Sequence, residues 1–221
     1  MMGTSVHEDT NLYLLVDDDR RHIHEFDINS DFPDSDEYAE ANVVRVSIRN
    51  CSGIIAYMEI LLLYEDRIDG DIVMFADGIS QDAHNAMYAL NKNGFFEPSD
   101  LDAESLDDIF ASGVIANLNY IAVHDEHRNN GYGKWLVRNL PKILDRNYGI
   151  HPRVIITSIC PQIISWGESN PSFRPPEDEA PKYEPMHDAL LKLFAKNGYQ
   201  QLGSTNHYIT KPFSIKHSDD F

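Results

Sequence analysis

The residues best placed to do chemistry are gathered in one run, Asn119-Tyr-Ile-Ala-Val-His-Asp-Glu-His-Arg128-Asn-Asn-Gly131-Tyr-Gly133-Lys134. Arg128, Gly131 and Gly133 have the spacing R-x-x-G-x-G. Two glycines so close let the backbone curl until successive N–H groups converge, and larger side chains would hold an anion away from them. An amphipathic stretch follows at once. The converging amides therefore belong to the first turn of a helix, where unpaired donors and the positive end of the dipole favour a phosphate. Arg128 and Lys134 add charge at the rim. The run lacks the G-x-G-x-x-G turn of a dinucleotide fold, and no Gly-Lys-[Ser/Thr] of a P-loop occurs.

Such a turn needs a strand leading in and a helix leading out. Val114–Val123 (VIANLNYIAV) predicts the strand. The spacing of apolar residues predicts a helix over about 131–147, with Trp135, Leu136, Leu140, Ile143 and Leu144 as its core stripe. Lys134, Arg138, Lys142 and Arg146 form its solvated face, and Pro141 kinks it or ends its first half at Leu140. Upstream, Leu12–Val16 reads as a short strand, Asp17–Asp19 as a charged turn, and residues 17–42 as loop with a short helix near 34–41. Val43–Arg49 and Ile54–Tyr64 alternate as a hairpin across Asn50-Cys-Ser-Gly53. Ile72–Ala76 reads as a further strand, and Ser80–Lys92 and Ser99–Ala111 as helices. Downstream, Arg153–Ile159 is a strand. Five prolines make residues 161–184 a long irregular loop, with Trp166, Phe173 and Tyr183 as candidates for a lid. A helix over Pro185–Asn197, with proline at its first position and Gly198 past its end, precedes two short strands, Tyr199–Gly203 and His207–Lys211. The fold class expected is α+β: a mixed, mostly antiparallel central sheet flanked by helices.

Charge narrows the partners. Eighteen Lys and Arg against 36 Asp and Glu give a net charge of −18, which argues against nucleic acid as the partner of the whole surface. The imbalance is lopsided: 25 acids against 6 bases in residues 1–110, 11 against 12 in residues 111–221. The first half thus suits a cation and the second an anion. No apolar run approaches the roughly 18 residues of a membrane span, and Glu8 and Asp9 stand where a secretory leader is basic. The two cysteines, Cys51 and Cys160, fit neither a disulfide framework nor a zinc site, so a reduced, cytoplasmic setting is expected. His124 and His127, and the pair His22 and His24, read as polar surface, and no metal is expected.

Tyr120-Ile-Ala-Val-His-Asp-Glu-His-Arg-Asn-Asn-Gly-Tyr-Gly-Lys-Trp-Leu136 and Leu190-Leu-Lys-Leu-Phe-Ala-Lys-Asn-Gly-Tyr199 resemble the GNAT superfamily of acyl-CoA-dependent N-acetyltransferases, over about residues 114–212. The resemblance implies a GNAT-like sheet whose central strand splays from its neighbour, and acetyl-CoA as acyl donor. Its pyrophosphate would be held by Arg128, Asn129, Asn130, Gly131, Tyr132, Gly133 and Lys134. The pantetheine arm would lie along Ile121, Ala122 and Val123. An amine acceptor, cationic in its resting form, would then attack the acetyl carbonyl directly, with no covalent enzyme intermediate.

The chain departs from that family where acid–base chemistry is done. Phe194 stands where a Tyr commonly protonates the departing thiolate, and His187 where an Asn is common. Asn117 and Asn119 stand where relatives carry a basic residue. Asn117, Asn119, Tyr208 and His187 are the catalytic candidates left, with Tyr183 a further acid. A thiol with a pKa of about 8.5 leaves tolerably without an acid, so positioning alone can sustain turnover. The expected organisation is an acidic N-terminal extension (1–42), an acetyltransferase domain (43–213) with an inserted helical region (about 66–112), and a tail (214–221). The alternative is a degenerate acyl-CoA sensor or interaction module. A homodimer, and an acidic N-terminal region docking a basic protein, are also compatible with the sequence.

Overall fold

The computed structural model describes residues 13–21, 40–96, 113–167, 171–174 and 180–211. The helices expected near 34–41 and over Ser99–Ala111 lie outside them, as do His22 and His24.

The hairpin read from the sequence is the start of the sheet. Strands β2 (Ala41–Asn50) and β3 (Gly53–Tyr64) pair antiparallel from Ala41 opposite Leu63 to Asn50 opposite Gly53. Strand β1 (Tyr13–Arg21) adds to the outer side of β2 as the edge strand. It runs through the acidic triplet expected to turn: Asp17, Asp18 and Asp19 lie opposite Arg45, Val44 and Val43. Backbone pairing to a strand with strong β patterning overrides the low strand propensity of aspartate, and charge suits an edge.

Ile72–Ala76 is a second correction. It forms a short helix, α1 (Ile72–Asp77), begun by Asp71, whose carboxylate accepts from the Val73 amide at 2.8 Å. A short apolar run does not by itself distinguish helix from strand, and here the cap decides. Helix α2 (Gln81–Lys92) follows, with the Ser80 hydroxyl accepting from Ala83.

Strand β4 (Val114–Val123) pairs antiparallel with β3, and parallel with β5 (Val154–Ser158). Between them runs α3 (Tyr132–Tyr148), continuous across Pro141 rather than ending at Leu140. Leu136, Leu140, Ile143 and Leu144 are buried as the apolar stripe requires, whereas Trp135 is 44% exposed and leaves that stripe.

The expected loop over 161–184 is in part regular. Strands β6 (Ile163–Ser165) and β7 (Ser172–Arg174) pair as a separate two-stranded sheet. Helix α4 spans Ala180–Lys196, so Pro185 lies inside it rather than at its first position. The short strands β8 (Gln200–Gln201) and β9 (His207–Thr210) complete a seven-stranded sheet of order β1-β2-β3-β4-β5-β9-β8.

Helices cover both faces of the sheet. On one, Met58, Ile60, Leu62, Ala116 and Leu118 pack with Leu136, Leu140 and Phe194 of α3 and α4. On the other, Leu61, Leu63, Ile115 and Ile156 pack with Ala86, Met87 and Leu90 of α2. Burial on both faces explains why β3 is apolar almost throughout instead of alternating. The architecture is the mixed, mostly antiparallel sheet flanked by helices that the sequence predicts.

Candidate functional site

Two departures from regular pairing open the centre of the sheet. In β4, Tyr120 lies opposite Glu59 and Leu118 opposite Ile60, leaving Asn119 as an extra residue. Such a bulge reverses which face each following side chain takes. Before it, Ala116 and Leu118 face α3 and α4; after it, Ile121 and Val123 do. Tyr120 is thereby turned to the α2 face, beside Tyr57 and Glu59.

The second departure is divergence. The pairing of β4 with β5 stops at Leu118 and Thr157. The Thr157 hydroxyl donates to the Leu118 carbonyl at 3.0 Å and closes the crotch. From Asn119 to Val123 β4 has β3 on one side and no strand on the other. A cleft of about 670 Å³ occupies the gap. It is bounded by that free edge, by the turn from His127 to Lys134, by α4 and by the β6–β7 hairpin.

The turn has the backbone an anion needs. Asn129 and Gly131 both take left-handed conformations, φ 66° and 87°. Gly131 caps α3, and no side chain satisfies the cap. Among the described residues, the amides of Asn129 to Lys134 donate to no backbone carbonyl; the first bond back into the turn is from Trp135 to the Gly131 carbonyl at 2.9 Å. These orphan donors are the second requirement of an anion site. A Cβ on Gly131 would meet nothing within 4 Å. The protein's own packing therefore leaves that side of the turn open, and the positive φ alone calls for glycine. The turn fits a pyrophosphate.

Side chains reinforce it unevenly. Arg128 is turned onto the protein: its guanidinium contacts Asp125 at 2.6 Å and its Nε lies 3.4 Å from the Val123 carbonyl. Lys134 lines the cleft, and α4 brings in Lys192 and Lys196, one helical turn apart. Sequence reasoning missed these two lysines because their role needs α4 to pack alongside the turn.

Of the residues expected to hold the cofactor, Ile121, Ala122, Val123, Arg128, Asn129, Gly131, Tyr132, Gly133 and Lys134 line the cleft, and Asn130 does not. The catalytic candidates divide. Asn119 lines the cleft and accepts, through Oδ1, a 2.9 Å hydrogen bond from Asn117, which is buried behind it. Tyr208 packs on the α3 and α4 face beyond β5, and His187 lies off the cleft wall. The side chain of Tyr183 lies outside the described residues. Phe194 lines the cleft and is 1% exposed, its ring 5.0 Å from that of Tyr199.

The α2 side of the cleft is built differently. Glu59 accepts from Arg45 Nε at 3.2 Å and from the Tyr57 hydroxyl at 3.1 Å. Phe173 from β7 lies parallel to Tyr120, ring centroids 4.3 Å apart, and Tyr57 is 5.8 Å from the same ring. Burial, together with the carboxylates of Asp82 and Glu59, holds the Tyr120 phenol above its ordinary pKa. Cys160, also on the cleft, has its thiol pushed up by partial burial and then by Asp82, against a hydrogen bond with Gln162. A thiol so held is a poor nucleophile at neutral pH. Glu59 and Asp82 went unremarked in the sequence because no spacing links them, and Cys160 was read there only as a free cysteine.

No protein-family model matches this chain, and no curated protein does. Among solved structures the chain is similar to arylalkylamine N-acetyltransferase 2 from Aedes aegypti, with 15% identity and a TM-score of 0.33. The match covers 52% of this chain and 49% of that one, so the chain spans about half the length of the structure it matches. No helix among the described residues is long and apolar enough to cross a membrane.

Proposed function

We propose that this chain is a GNAT acyltransferase that moves the acetyl group of acetyl-CoA to an amine within a ternary complex. The observation that carries the reading is the coincidence, in one cleft, of unpaired amides from Asn129 to Lys134 with the unpaired edge of β4 from Asn119 to Val123. The first suits a pyrophosphate and the second an extended amide-bearing arm, which can add to an open strand edge. Lys134, Lys192 and Lys196 supply charge for further phosphate.

When bound, acetyl-CoA supplies an activated carbonyl: the amine lone pair forms the C–N bond, the C–S bond breaks with its electrons leaving on sulfur, and of the two protons an ammonium acceptor sheds, one goes to the thiolate and one to solvent. The chain's own part is mostly positional. The free edge of β4 orients the arm, and the crotch pinned by Thr157 fixes where the arm ends. Asn119, held by Asn117, presents a neutral amide at that point and places a water rather than taking a proton itself. Cys160, kept as a thiol, does not divert the acyl group, which favours direct transfer over an acyl-enzyme.

The test is calorimetric titration with CoA. Gly131→Glu places a side chain and a negative charge where φ is 87° and the turn is open. It is expected to weaken binding about 100-fold or more, counting strain and charge together. Unchanged affinity overturns the reading.

A second reading, a binding module that retains CoA without turnover, is favoured by one observation: Phe194 presents a hydrocarbon edge to the cleft where a proton donor would serve. Thiol release from acetyl-CoA over a panel of amines separates the two.

A further inference from the structure

This inference rests on the acyl-transfer reading and concerns the acceptor. The β6–β7 hairpin meets the free end of β4 at two aromatic contacts. Phe173 lies flat on Tyr120 at 4.3 Å, and Trp166 lies against His124 at 5.3 Å. Tyr120 and His124 are four residues apart, on one side of the chain by the alternation of a strand. The hairpin therefore roofs the α2 side of the splay. Rings at 3° and 4.3 Å are in van der Waals contact, so no planar group enters between them. The exposed face of Tyr120, the natural platform for an aromatic acceptor, is already occupied. The cleft continues beside the stack past Ser158 and Cys160.

We propose that Phe173, by covering Tyr120, makes this a site for unbranched primary alkylamines and excludes aryl amines. The test is thiol release from acetyl-CoA by the full chain, with n-butylamine and 2-phenylethylamine as the probes. Wild type is expected to favour n-butylamine in kcat/KM by about tenfold or more, the scale on which a filled pocket discriminates. Phe173→Ala is expected to erase or invert that preference. Phe173→Leu, which keeps the apolar contact without the planar face, is expected to fall between and serves if the alanine variant does not fold. The proposal is overturned if wild type prefers 2-phenylethylamine, or if folded Phe173 variants that bind CoA keep the wild-type ratio. Binding of acetyl-CoA with no thiol release from either amine would overturn the transfer reading itself, and this proposal with it.

Discussion

The two sides of the cleft are made of different material. The side facing α3 and α4 is main chain: six amides of one turn and the bare edge of one strand, contiguous in sequence from Asn119 to Lys134. The side facing α2 is side chain: Tyr120 from β4, Cys160 beyond β5 and Phe173 from the hairpin line it, while Arg45 from β2 and Tyr57 and Glu59 from β3 lie off its wall. Main-chain groups do not vary with the residue that bears them, so a main-chain site suits a ligand whose polar framework is fixed. A side-chain site is rebuilt by substitution and suits a ligand that differs from one enzyme to the next. On the acyl-transfer proposal, the comparison teaches where specificity would reside: the donor would be read by conformation, the acceptor by residue identity.

That contrast can be broken. The strongest attempt is Glu59→Gln, which strips the countercharge from Arg45 while leaving an acceptor for the Tyr57 hydroxyl. Both side chains of the ion pair are about four-fifths covered. Removing the Glu59 carboxylate from this pair is expected to cost about 1 kcal/mol in urea unfolding, below the full penalty of a deeply buried pair. CoA affinity should stay within about twofold, since no group of the phosphate turn is touched. Loss of CoA binding in a folded Glu59→Gln protein would show that the two sides are not independent.

A middle-sized effect sharpens the comparison at the one residue that belongs to both the core and the cleft. Phe194→Tyr adds a hydroxyl at the cleft wall where, on the proposed reaction, the thiolate would depart. General-acid help contributes about 10²–10⁴-fold when fully positioned. A donor added without supporting hydrogen bonds is expected to reach only the lower end, roughly tenfold in kcat, with KM for acetyl-CoA unchanged. No gain in kcat, or a rise in that KM, would mean that sulfur is not delivered to Phe194.

The smallest effect concerns pH. His207, paired with Ser158 on the α2 face, has its pKa lowered by burial, with Asp82 opposing the shift. Its Nδ1 is buried without a hydrogen-bond partner. A histidine whose folded pKa lies below its unfolded value binds fewer protons when native. Its contribution to stability is therefore intact above the unfolded pKa, about 6.5, and is lost as pH falls from there through the depressed folded value. Replacing it, as in His207→Gln, is expected to flatten the fall in Tm between pH 7.5 and 5.5 by on the order of 1–2 °C, because the group is only partly buried. An unchanged slope would place the acid sensitivity elsewhere.

Much of this molecule was legible in the sequence, and the illegible parts have physical causes. The β2–β3 hairpin, α2, β4 and α3 each carry a local signal that agrees with their packing: alternation, a serine cap, an apolar run, a helical stripe. The misread segments are those where local preference was overruled. Asp17–Asp19 became strand because β2 offered hydrogen bonds, and Pro185 was absorbed into α4. Residues 163–174 form a hairpin because Phe173 and Trp166 have partners on β4, seen only once the chain has folded. The glycine turn was legible because its signal lies within seven residues. The grouping of Glu59, Asp82, Cys160 and Phe173 was not, because nothing in spacing links them, although Phe173 itself stood out as a lid candidate.

The amino-acid order by itself determined the glycine turn ahead of α3. Glycine at 131 is dictated by a positive φ, and unpaired amides follow from where a helix begins; both are local and short-range. The tertiary structure alone settled the bulge at Asn119 that turns Tyr120 to the α2 face, the parting of β4 from β5 after Thr157, and the meeting of Tyr120 with Phe173. Those depend on strand register and on which elements come to lie side by side, and register is fixed only when both faces of a sheet are packed.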